Sequence, residues 1–162
     1  MRINTDPRFV GYEVLKSRQG EQLDSFEVWA FNNQWSSFHV NHYDWWMFPI
    51  DEPSRYGYAW TVYDGDVAEL VKDKAYICDY LRGAELLALS WGWDFYQKKK
   101  IPSPQLDQSW QGWPIRLYKV SKSLKLFGFD NLFESMRAYA NGLIGDGESL
   151  EYNGKDLRLL FR

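Results

Sequence analysis

One cysteine, Cys78, stands in a chain of 162 residues, so no intramolecular disulfide can form, and a reducing compartment suits the protein. Histidine is nearly as scarce, with only two, and the cysteine clusters that hold zinc do not occur. There is no Gly-x-Ser-x-Gly elbow and no glycine-rich loop to cradle a phosphate. No apolar run approaches the roughly 20 residues that span a bilayer. The opening "MRINTDPRFV" has no apolar core of a secretory signal. These absences lead us to expect a cytoplasmic protein with no membrane segment, no cofactor and no catalytic residue set. A net charge of −3 weighs against a nucleic acid as the partner.

Aromatic rings are what the chain has in abundance: nine Trp, eleven Tyr and ten Phe. Rings of that size either fill a core or build a platform for a ligand. The length fits one domain, which at this size removes roughly 70% of its unfolded surface from water.

Helical periods dominate. The first twenty residues read as irregular or extended, with "RFVGYEVL" followed by the turn signal "SRQGE". A helix is expected from Asp24 or Ser25, carrying Phe26 and Trp29, and a second from about Asn33. In that second helix Trp35, His39, His42 and Trp46 step by four, three and four along one face. Pro49 and Pro53 then enforce a loop, and "YDGDVAELVKD" offers a short helix capped by Asp64. The clearest stripe is Ile77, Leu81, Ala84, Ala88, Trp91 and Phe95, a long amphipathic helix that leaves Leu86, Leu89 and Trp93 off its main face. After the loop "QKKKIPSPQLDQSWQGWP", Pro114 suits a first helical position and Gly128 a helix end. A last helix is expected over 131–143, and the tail "YNGKDLRLLFR" as a short helix or strand. The expected fold is one mainly α domain. It is a bundle of five to six helices with irregular aromatic-rich loops and a short strand pair near the termini.

Two segments resemble a known family. "WMFPIDEP" is similar to the Trp-Leu-Phe-Pro-Leu-Arg-Glu-Pro signature of the opioid growth factor receptor conserved region, with Tyr43, Trp46, Phe48, Pro49, Glu52 and Pro53 matching position by position. Downstream, "IRLYKVSKSLKLFGFD" resembles the family's second helix, keeping Arg116, Ser123, Leu124 and Gly128, with Lys119 in place of an arginine. Phe95 and Tyr96 match a Phe-Tyr pair between them, so the resemblance covers residues 9–143. The chain departs from the pattern at Asn41 and His42, where the family has histidine and aspartate, and at Trp45, where it has glutamine. The animal members are described as nuclear-associated receptors for an enkephalin peptide. For a short stand-alone domain the resemblance implies a binding or interaction role, with no catalytic activity.

Three chemistries compete. His39 and His42, with Asp44 close by, have a spacing that could share a metal or centre an enzyme site, but histidines among rings also serve as hydrogen-bonded core residues. On the helix over 115–127, Arg116, Lys119, Lys122 and Lys125 step by three opposite Leu117, Val120 and Leu124. That row could hold phosphates or single-stranded nucleic acid, yet the acidic chain favours an ordinary solvated face. For Arg116 an ion pair with Asp51 or Glu52 is expected. Finally, Trp45, Tyr56, Tyr58, Trp60, Trp110 and Trp113 lie in or beside loops, where they could line a groove, with Asp51, Glu52 and Arg116 adding polar specificity. The competing role for these rings is to pin loops onto helices. The expected structural wedge is Tyr43, Trp46, Phe48, Pro49 and Pro53. The expected function is a binding module for a peptide or small ligand, with a protein partner as one form of it.

Overall fold

Gly11, at φ 87°, turns the chain into a 20-residue helix, α1 (Tyr12–Phe31). The computed structural model describes residues 1–162 in full. Of the first twenty residues, 1–11 are irregular as expected, whereas 12–20 are helical and the "SRQGE" turn signal lies inside α1. Gly20 in a helix interior costs about 1 kcal/mol relative to Ala. Burial of Leu15, Leu23 and Phe26 along one face offsets that cost. The partner of this face is chiefly α5 (Lys74–Ser90).

The helix expected from Asn33 is two helices, α2 (Trp35–Val40) and α3 (Asp44–Met47), separated by an extended Asn41 at φ −93°, ψ 160°. A continuous helix would use the carbonyls of Phe38 and Asn41 to accept the N–H groups four residues on. Here the Arg116 guanidinium donates to both carbonyls, and the Tyr43 hydroxyl donates to that of Phe38. Those donors come from a distant helix and from beyond the break, so the 3.6-residue pattern cannot register them. As a result His39, His42 and Trp46 do not share one helical face.

α4 (Asp64–Leu70) is tied to the N-terminal segment by a buried carboxylate. Asp66 accepts from the N–H groups of Asn4 and Tyr63 and from the Tyr12 hydroxyl. Asp64, the expected cap, is instead the first helical residue and accepts from Arg2 N–H at 2.8 Å.

α5 is capped by Asp73, whose side chain accepts from Tyr76 N–H at 3.1 Å. It stops at Ser90, short of the predicted Phe95. Gly92 makes the exit: its φ is 77°, and a Cβ there would meet the Gln108 carbonyl at 2.8 Å. The chain then reverses through the pair β1 (Trp93–Asp94) and β2 (Lys99–Lys100). Off the main stripe, Leu86 is buried, and α5 packs against α1, α2 and β1, so it is covered on more than one side, while Trp93 is buried in β1. Cys78 lies on the exposed side of this helix, not in the core.

α6 (Pro114–Leu126) begins with Pro114 as expected. It ends with Gly128 at φ 84°, where Phe129 N–H reaches the Leu124 carbonyl at 2.8 Å and Gly128 N–H reaches that of Lys125. α7 (Asp130–Gly145) follows, with Met136, Tyr139 and Leu143 inward. The tail forms a second antiparallel pair, β3 (Glu151–Tyr152) and β4 (Lys155–Asp156). Its turn residues Asn153 and Gly154 both have positive φ, as a tight two-residue hairpin requires. A 3₁₀ turn over 157–161 then seats Leu157 and Phe161 in the core. One cluster of 34 buried hydrophobic residues draws on all seven helices, so the protein is a single mainly α domain. No helix is long and apolar enough to cross a membrane.

Candidate functional site

Tyr43 is fully buried, edge-on to Phe26 at 4.8 Å and under the Arg116 guanidinium at 4.8 Å. Phe48 is likewise buried against Tyr80, and Pro49 stops α3 behind it. Trp46 is half-buried between the Arg18 guanidinium at 4.2 Å and Trp60 at 5.2 Å. Its indole N–H donates to Gln22 at 3.2 Å. Pro53, by contrast, is exposed and stands on the rim of a cleft.

That cleft, of about 410 Å³, opens between α3, the loop over 53–55, the start of α6 and the β3–β4 turn. Asp44, Arg116 and Lys119 lie at its floor, only 6%, 3% and 9% exposed, and Trp45 and Trp113 face it. Arg55 and His42 are exposed beside them.

Each floor group has an unusual environment. Arg116 is held by the Phe38 and Asn41 carbonyls, with its Nε 3.7 Å from Asp44 Oδ1. Its expected ion pair with Asp51 or Glu52 does not form, because the helix turn that carries Arg116 faces α3. Lys122, further along α6, takes those two acids at 3.3 and 2.5 Å. Asp44 accepts no hydrogen bond at its enclosed Oδ1, and burial pushes its carboxyl above the usual carboxylate range against the pull of Lys119 and Arg116. Lys119 has no carboxylate within ion-pair distance; its ammonium sits 5.0 Å from the centre of the Trp45 ring, and burial lowers its affinity for the proton. The basic row on α6 is thus no solvated face. Arg116 and Lys119 are buried against α3 and the loop after it, Lys122 is ion-paired, and Lys125 alone of the four is exposed. Lys98 is turned elsewhere, donating to Asn131 at 2.6 Å.

Glu52 organises the loop from outside the cleft. It accepts from Tyr118, Lys122 and Lys155, and so joins the loop after α3 to α6 and to β4. Burial raises its proton affinity, but the donors Lys122 and Tyr118 outweigh this and hold it down to about 2.

The predicted aromatic groove divides. Trp45, Trp113 and Arg116 meet in the cleft, and Tyr56 packs edge-on to Trp45 at 5.2 Å. Trp60 and Glu52 border a small void of about 10 Å³ beside the cleft, which shares Asp44, Trp45, Ser54 and Lys119 with it. Tyr58 stands over the N-terminal segment, its carbonyl accepting from Asn4 at 2.8 Å. Trp110 belongs to another cluster, 5.8 Å from Trp91 and 6.3 Å from Tyr139. Asp51 faces Lys122. Loop membership was a poor guide here, because ring position in a loop does not say which helix the loop lies on.

The two histidines also separate. His39 is buried with its Nε2 3.0 Å from the Asp107 carbonyl, whereas His42 is exposed, 6.4 Å from Trp45. No three His, Cys, Asp or Glu side chains come together in a metal-holding group. Lys119, expected in a solvated row, has one signal of a different role in the sequence: it stands where the resembled family has an arginine. Arg55 and Tyr152, also lining the cleft, carried no signal at all.

Fold and cleft together define a small helical domain with a charged, aromatic-walled recess. No protein-family model, curated protein or solved structure matches the chain.

Proposed function

We propose that this chain is a binding module, and that a peptide or small ligand enters the cleft between Trp45 and Trp113. The observation that carries the reading is a recess of ligand size, about 410 Å³, whose floor holds a carboxylate oxygen without a hydrogen-bond donor, on Asp44, beside the Lys119 ammonium 5.0 Å from Trp45. A fold that needed only stability would gain from apolar residues there. Its resemblance to the opioid growth factor receptor conserved region belongs to the same proposal. In support, Tyr43, Phe48, Arg116, Ser123 and Leu124 are buried, and Gly128 ends a helix, as residues shared for a common scaffold would.

A library of short peptides and aromatic fragments, screened by the indole N–H signals of the ¹⁵N-labelled protein, tests the binding reading. Ligands should move Trp45 and Trp113 and leave Trp91 unmoved, and Trp45→Ala with Trp113→Ala should abolish the effect. Ligands that move only Trp91 and Trp110 would place binding elsewhere.

A further inference from the structure

We propose that the ligand of this cleft carries a carboxylate, which becomes the counter-ion of Lys119 while an apolar body packs on Trp45 and Trp113. The inference rests on the binding reading above and adds the ligand's chemical class.

Charge at the cleft floor is unbalanced. Of its three buried groups, Asp44 and Arg116 face each other at 3.7 Å and offset one another. Lys119 is left over. It is 9% exposed, its nearest aromatic face is Trp45 at 5.0 Å, and it has no acid within ion-pair distance. Asp44 attracts it most and Glu52 next, but Asp44 is shared with Arg116, and Glu52 is already committed to Lys122, Tyr118 and Lys155. The Lys119 stem is buried while its ammonium is not enclosed, so it can meet a ligand from solvent, and one carboxylate there brings the floor to zero net charge.

The surroundings narrow the choice. Arg55 adds a further cation at the rim, and Asp44 is the one acid lining the cleft, so an amine would meet excess positive charge. A phosphate dianion would place its second charge beside Asp44, with one free ammonium to receive it. A monoanion avoids both penalties. The indole walls suit a planar or apolar body attached to it.

The test titrates ¹⁵N-labelled protein with phenylacetate, its neutral amide phenylacetamide and inorganic phosphate, reading the Trp45 and Trp113 indole signals. Phenylacetate should bind at least about tenfold more tightly than the amide, as a charge-assisted contact allows. Lys119→Met should erase that preference and keep amide binding, whereas Lys119→Arg should preserve it. The tripeptide Ala-Ala-Phe distinguishes two sources of the same group. Binding tighter than phenylacetate assigns the carboxylate to a chain terminus, and weaker binding assigns it to a free acid. Equal affinity for acid and amide would overturn the carboxylate while leaving the binding reading intact. Phosphate binding above phenylacetate would also overturn it. No shift at either tryptophan with any probe would remove both readings together.

Discussion

Arg116 Nε stands 3.7 Å from Asp44 Oδ1 with both side chains under 10% exposed, yet this is not the arginine's main contact. Its two terminal nitrogens donate to the carbonyls of Phe38, in the last turn of α2, and of Asn41, at the break that follows. The arginine therefore shapes the backbone that presents Trp45 to the cleft, and Asp44 balances its charge.

Arg116→Ala should destabilise the fold by about 3 kcal/mol or more, since it leaves the buried Asp44 carboxylate unpaired, removes one of two donors from the Phe38 carbonyl and removes the side-chain donor to that of Asn41. Arg116→Lys should recover little, because one ammonium on a flexible stem cannot reproduce the planar fork. Urea unfolding of the three proteins at pH 7 measures this. A loss within about 0.5 kcal/mol for the alanine variant would be a surface-type effect and would refute the role.

Glu52→Gln should cost about 1–3 kcal/mol at neutral pH through its weakened bonds to Tyr118 and Lys122. The sign with pH follows from a carboxyl held down to about 2 in the fold against about 4.5 when unfolded. Between those values the unfolded chain binds the extra proton, so stability rises with pH there. The full contribution is present above about 4.5 and is lost as pH falls toward 2. Unfolding midpoints of wild type and Glu52→Gln should therefore converge across that window, and a constant gap would contradict the assignment.

His39 carries the opposite kind of strain. Burial first of all lowers its proton affinity, although the Asp107 carbonyl 3.0 Å from Nε2 acts the other way. Its folded pKa lies below the unfolded value of about 6.5, so the unfolded chain takes up a proton first as pH falls. Stability from this site is complete above 6.5 and declines below it. Thermal melts at pH 7.5 and 5.5 should show a smaller drop for His39→Gln than for wild type; an equal drop would exclude His39 as the source.

Local signals in the sequence determined a good part of this protein. Pro114 and Gly128 bracket α6 because a missing N–H and a positive φ are properties of single residues. The stripes of α5 and α7 were legible because burial on one side repeats every 3.6 residues, and Pro49 ended α3 where a proline must. The mainly α class follows from those features alone.

Only the tertiary structure decided the rest. Periodicity joined α2 to α3 because nothing near residue 41 announces that Arg116 will take the helix's carbonyls. Gly20 and the polar residues around it concealed α1, whose stability comes from burial against α5 and not from its own propensity. Lys119 and Lys122 are the same residue type one turn apart on one helix. One reaches Asp51 and Glu52 and is satisfied, while the other faces Trp45 and lacks an acid. Spacing along a chain specifies which side of a helix a charge leaves from. What that charge meets depends on segments brought in from elsewhere in the fold, and that meeting decides whether it is a solvated lysine or the floor of a cleft.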